Sequence, residues 1–146
     1  MEQSLMEQDL RARSKKAMIL GILANVIPAV LIFLIYIGWM VGFFGYIGAN
    51  YSNINGPESV FPLFGGLFLA LAAAGVAMLV LGIVAWVKAK GIWTQAKEAS
   101  LRKPGMSIAA FVLGLEAFVS GLIVTLLFVL YAGVLSALPG MIQMMR

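Results

Sequence analysis

Three apolar runs without a lysine or arginine, at residues 17–49, 60–87 and 106–132, constrain this chain more than any other feature. Each exceeds the roughly 20 residues that a helix needs to cross a bilayer core. Composition closes the soluble alternative. Apolar residues make up 62% of the 146 residues and charged residues 11%, against roughly half and about a quarter in a soluble domain. The expected fold class is an all-α integral membrane protein with three transmembrane helices, at about 17–49, 60–87 and 106–135.

The basic residues set the expected orientation. Arg11, Arg13, Lys15 and Lys16 precede the first run, and Lys88, Lys90, Lys97, Arg102 and Lys103 lie between the second and third. Nine of the ten cations therefore fall on one side, with Arg146 alone on the other. Short cytoplasmic segments carry such an excess, so the N-terminus is expected inside and the C-terminus outside. The parts are then a polar cytoplasmic tail at 1–16, a membrane domain at 17–138 with a basic cytoplasmic loop at 88–105, and an outer tail at 139–146. The first run is too long for a signal-peptide core and reads as a retained span. The net charge of +4 is explained by membrane flanking and anionic headgroups, so no nucleic-acid partner is expected. Lys88, Lys90, Trp93, Lys97, Arg102 and Lys103 are the candidate headgroup contacts. The cell membrane of a bacterium is the expected location.

The first run is also longer than one crossing. Its 33 residues would reach about 50 Å as a helix against a core of about 30 Å. The part beyond Trp39 is expected to project, bend or pack on another protein, with a kink at Pro28. Residues 50–59 (NYSNINGPES) read as a turn-rich connector.

A short motif recurs in all three runs: MILGILA at 18–24, LVLGIVA at 79–85 and FVLGLEA at 111–117. Lipid gives little hydrophobic drive for helices to associate, so small residues that permit close approach carry the packing. Gly21, Gly82 and Gly114 are therefore candidate contact points. Gly38, Gly42, Gly45 and Gly48 form a second small-residue ridge, and Ala70, Ala73, Ala74 and Ala77 a matching run on the second helix. Either ridge serves docking on a partner or packing within the bundle.

Residues 79–117 resemble small bacterial membrane domains of unknown function that carry a repeated VLGI-A motif. The matching positions are 79–90, Gly105, Ile108, Ala109 and 112–115. The resemblance implies a membrane hairpin and no activity. Glu116 departs from the pattern, which is apolar there.

Glu116 is the one acid inside an apolar run. It stands about 15 Å into the third helix. A carboxylate at that depth is costly unless paired or protonated. Asn25 sits at a similar depth, so an Asn25–Glu116 hydrogen bond between the first and third helices is one expectation. Pairing with another subunit and a proton- or cation-coupled transport site are the others.

Enzymatic chemistry finds no foothold. The chain has no cysteine or histidine, which removes disulfides, thiolate and imidazole ligands and the usual nucleophile pairs. No catalytic set, cofactor motif or metal site is expected. The methionines at 141, 144 and 145 lack a companion soft ligand. The preferred reading is a non-catalytic accessory or assembly subunit of a larger membrane complex. A homo-oligomeric channel or coupled transporter centred on Glu116 is the alternative, and a holin-like pore former a weaker one.

Overall fold

The computed structural model describes residues 2–50 and 61–144, with the backbone alone at 139 and 141–143. Three helices make up the described chain: α1 (Glu2–Asn50), α2 (Phe61–Glu98) and α3 (Gly105–Met144). All three are long and apolar enough to cross a membrane. The connector expected at 50–59 lies almost wholly outside the described residues.

The helices overrun the apolar stretches. The polar tail is helical from Glu2 and continuous with the apolar part of α1. Arg11 pairs with Glu7 at 2.7 Å and Arg13 with Asp9 at 2.8 Å, both one helical turn apart. An acid one turn before a base is the favourable order on a helix. The basic loop expected at 88–105 shrinks to residues 99–104, since α2 continues through Glu98. The outer tail is helical through Met144. At 49 residues, α1 reaches about 75 Å, and it is uninterrupted at Pro28. The proline ring is fully buried there.

The α2–α3 turn has a definite stop signal. The Leu101 N–H donates to the Ala96 carbonyl at 2.8 Å and the Ser100 N–H to the Lys97 carbonyl at 3.1 Å. This is the Schellman pattern, which demands a left-handed residue at its centre. Ser100 fills that position with φ 55°. Leu101 packs back on the cluster that includes Ala96, completing the apolar contact of the motif.

Burial is concentrated toward the basic end. The buried residues of α1 are Leu10, Ser14, Ala17, Gly21, Ala24 and Pro28. They alternate at four and three residues, the spacing of an antiparallel coiled-coil seam. Nothing on α1 beyond Pro28 is buried. In its C-terminal half, α1 touches α2 through an aromatic clasp instead. Trp39 donates its indole N–H to the Leu63 carbonyl at 3.0 Å, stacks on Phe43 and meets Phe64 at a tilt.

The most extensive interface is between α2 and α3. A methyl group placed on Gly82 would lie 2.6 Å from the Phe118 nitrogen, and one on Gly114 2.7 Å from the Trp86 nitrogen. One heptad further, Gly75 and Gly121 repeat the arrangement, the latter at 2.5 Å from the Leu79 nitrogen. One heptad beyond that, Phe68 stacks on Phe128 at 5.8 Å between centroids. Bare glycine faces let the backbones close to this distance. Gly82, Gly114 and Gly121 then each face a carbonyl oxygen of the other helix, the geometry of a Cα–H···O contact. Within one helix a glycine costs about 1 kcal/mol relative to alanine. Packing across the seam offsets that cost.

The surface around these seams is apolar. Val26, Val30, Phe33, Leu69, Val80, Val112, Val119 and Leu126 are all exposed, on all three helices. A surface of that kind is consistent with a multi-pass membrane protein, because soluble proteins rarely show continuous apolar patches of such extent.

Candidate functional site

The glycines fall into two environments. Gly21, Gly82 and Gly114, from the repeated motif, all stand under a neighbouring helix. Gly21 faces Leu113 on α3, whose Cβ would lie 3.0 Å from an added methyl group. Among the described residues, nothing lies within 4 Å of such a group on Gly38, Gly42, Gly45 or Gly48. These four make no contact with the described parts of α2 and α3. Val41, whose neighbours on the helix surface are Gly38 and Gly45, is 70% exposed. The clasp formed by Trp39 and Phe43 occupies another side of the helix, so the glycine ridge is turned away from α2.

The alanine run on α2 is divided. Ala74 is buried, Ala70 and Ala77 are half-buried, and only Ala73 is exposed. It does not form a second outward ridge, because Ala74 and its neighbour Gly75 belong to the interior.

The Asn25–Glu116 hydrogen bond does not form. Asn25 donates its side-chain amide to the Gly21 carbonyl at 3.0 Å and to the Leu113 carbonyl at 3.2 Å. Asn25 thus ties α1 to α3 through backbone, beside the close approach at Gly21. Glu116 is exposed on the outer side of α3. The bundle takes the other side of that helix, through Ser107, Ala110, Gly114, Ala117 and Gly121. Its neighbours one turn away, Val112 and Val119, are exposed and apolar. No cation lies within ion-pairing distance of Glu116 among the described residues.

At the basic end, Trp93 is not presented as a headgroup anchor. Its indole N–H donates to the Ser107 hydroxyl at 2.8 Å, and Ser107 in turn donates to the Pro104 carbonyl at 2.6 Å. This relay, with the Phe111 ring tilted against Trp93 at 4.6 Å between centroids, fixes the start of α3 against α2. Lys103 and Lys90 each place their ammonium 4.5 Å from a ring centre, over Trp93 and Trp86 respectively. Lys88, Lys97 and Arg102 are exposed.

Several contacts escape the sequence motif. Gly75 and Gly121 sit seven residues from Gly82 and Gly114, outside the repeated heptapeptide, and that spacing was the available signal. Ser14 and Ser107 are the fully buried polar residues; each satisfies its hydroxyl on a backbone carbonyl of its own chain segment. Among the described residues, no group of acids forms a metal-ligand cluster. In comparison with known proteins, the chain matches no family model, no curated protein and no solved structure.

Proposed function

We propose that this chain is a non-catalytic accessory or assembly subunit of a larger membrane protein complex, docking laterally through the glycine ridge on the outer half of α1. The observation that carries the reading is the contrast among its glycines. Gly21, Gly75, Gly82, Gly114 and Gly121 are taken up by contacts within the chain, while Gly38, Gly42 and Gly45 meet nothing within 4 Å among the described residues. A ridge of small residues permits a foreign helix the same close approach that α2 and α3 give each other. In this reading the basic end is cytoplasmic, as the excess of cations there favours. A single copy offers no path along the α2–α3 seam, where not even a methyl group fits.

A second reading has its own observation. Glu116 faces outward without a cation, and an intramembrane carboxylate ordinarily meets a partner or a wet cavity. Self-association that covers Glu116 would supply that partner, and a proton- or cation-coupled pathway between copies would follow. Purification of the tagged chain in mild detergent, with mass spectrometry of its companions, separates the two. Stoichiometric larger membrane proteins that are lost from Gly42→Leu support the accessory subunit. A pure homo-oligomer that dissociates in Glu116→Gln supports the second reading.

A further inference from the structure

We infer that the groove between α1 and α2 at the basic end is a binding site for the phosphate of an anionic phospholipid headgroup. The groove encloses about 270 Å³ and is lined by Arg13, Lys16, Lys88 and Gln95 over Ala17 and Gly91. Three cations and a neutral amide meet there with no acid in the lining. Its neighbours differ in this respect. Glu7 lines the larger basic groove beside α3, and Asp9 and Glu98 line the one on the far side of Gln95.

The polar groups are held in readiness. Asp9 holds one edge of the Arg13 guanidinium at 2.8 Å, and the same group donates to the Gln95 side-chain oxygen at 3.4 Å. Gln95 therefore turns its amide N–H groups away from Arg13, free to donate to an anion. Neither Lys16 nor Lys88 has a carboxylate within ion-pairing distance among the described residues. Gly91 has nothing within 4 Å of an added methyl group, so the floor of the groove is open to the ligand.

The level of the groove favours a lipid over a free ion. Lys16 is the last cation before the apolar run of α1, and Lys88 the first after that of α2. Two independent span limits thus meet at one groove, the level at which headgroup phosphates lie. One to two turns deeper, the half-buried Leu20 and the exposed Leu23 and Val84 continue the same surface as an apolar track for an acyl chain. Basic pockets between membrane helices are known to take acidic headgroups, and each cation near the surface is worth roughly a fivefold gain in affinity.

The full-length chain in detergent, given equal phosphatidylglycerol and phosphatidylcholine, provides the test by native mass spectrometry of retained lipid. Preferential retention of phosphatidylglycerol is expected. Lys16→Gln and Lys88→Gln should each weaken it about fivefold, and the double variant about thirtyfold. Lys15→Gln removes the same charge from an exposed neighbour outside the groove and should change retention less than twofold. Gly91→Leu keeps every charge but fills the floor, and should also reduce retention. Equal loss in Lys15→Gln and Lys16→Gln, or no preference in the unaltered chain, would overturn the site. Inorganic phosphate is the remaining probe. Binding of phosphate alone, lost in the double variant and without any lipid preference, would contradict the lipid source while keeping the phosphate chemistry.

Discussion

The two glycine sets make the most instructive contrast in the molecule. Gly75, Gly82, Gly114 and Gly121 lie where another helix's backbone comes within 3 Å of an added methyl group. Gly38, Gly42, Gly45 and Gly48 meet nothing. Residue type and helical setting are the same, so composition does not separate them. The difference lies in what faces each helix. Glycine in a helix carries an intrinsic cost of about 1 kcal/mol, which close packing offsets in the first set. In the second set nothing among the described residues offsets it. A contact outside the chain is the compensation the present account assigns.

The contrast breaks most sharply by bulk. Gly82→Leu or Gly114→Leu drives a side chain into backbone atoms less than 3 Å away. Overpacking alone costs about 1–3 kcal/mol, and displaced backbone raises that, so loss of the folded hairpin is expected. Thermal unfolding in detergent reads it, and Gly42→Leu should melt with the unaltered chain. A Gly42→Leu protein that also fails to fold would erase the distinction.

Smaller changes sharpen it. Gly121→Ala should destabilise by about 1–3 kcal/mol. Gly38→Ala should leave stability unchanged or raise it by up to about 1 kcal/mol from helix propensity. Opposite signs from one identical substitution are the signature sought in denaturant titrations. Next in size is Asn25→Leu, which removes one bond within α1 and the one bond it donates across to α3, and so weakens the α1–α3 contact. Such bonds between membrane helices average about 0.6 kcal/mol each. Accelerated proteolysis at the basic end would report that loss.

The smallest effect expected is a gain. Ser100 holds a left-handed φ of 55°, and glycine adopts that conformation without the Cβ clash. Ser100→Gly should stabilise the α2–α3 turn by roughly 0.5–1 kcal/mol. An unchanged or lower melting temperature would contradict the Schellman account.

Much of this was legible in the chain, and the misses have physical causes. The three apolar runs located the helices, because hydropathy reports the solvent of a segment. It does not report where a helix ends. Glu7–Arg11 and Asp9–Arg13 pairs extend α1 into polar sequence, and Ala89, Ile92 and Ala96 extend the buried side of α2 beyond the second apolar run. The repeated motif drew attention to Gly82 and Gly114, whereas Gly75 and Gly121 needed the heptad spacing. The place of Glu116 along α3 followed from residue counting. Its outward direction depended on which side of α3 the small residues face, and a residue beside Ala117 is turned by about 100° from it. Asn25 was read as a partner for Glu116 when a nearer acceptor, the Leu113 carbonyl, stood beside the close approach at Gly21.

A photo-activated cross-linker placed at residue 42, in the native membrane, tests the docking claim most directly. The account predicts that it traps a distinct membrane protein, and that the same cross-linker at the exposed Val80 of α2 does not. Equal trapping at both positions, or none at residue 42, would contradict the assignment of the α1 glycine ridge to a partner.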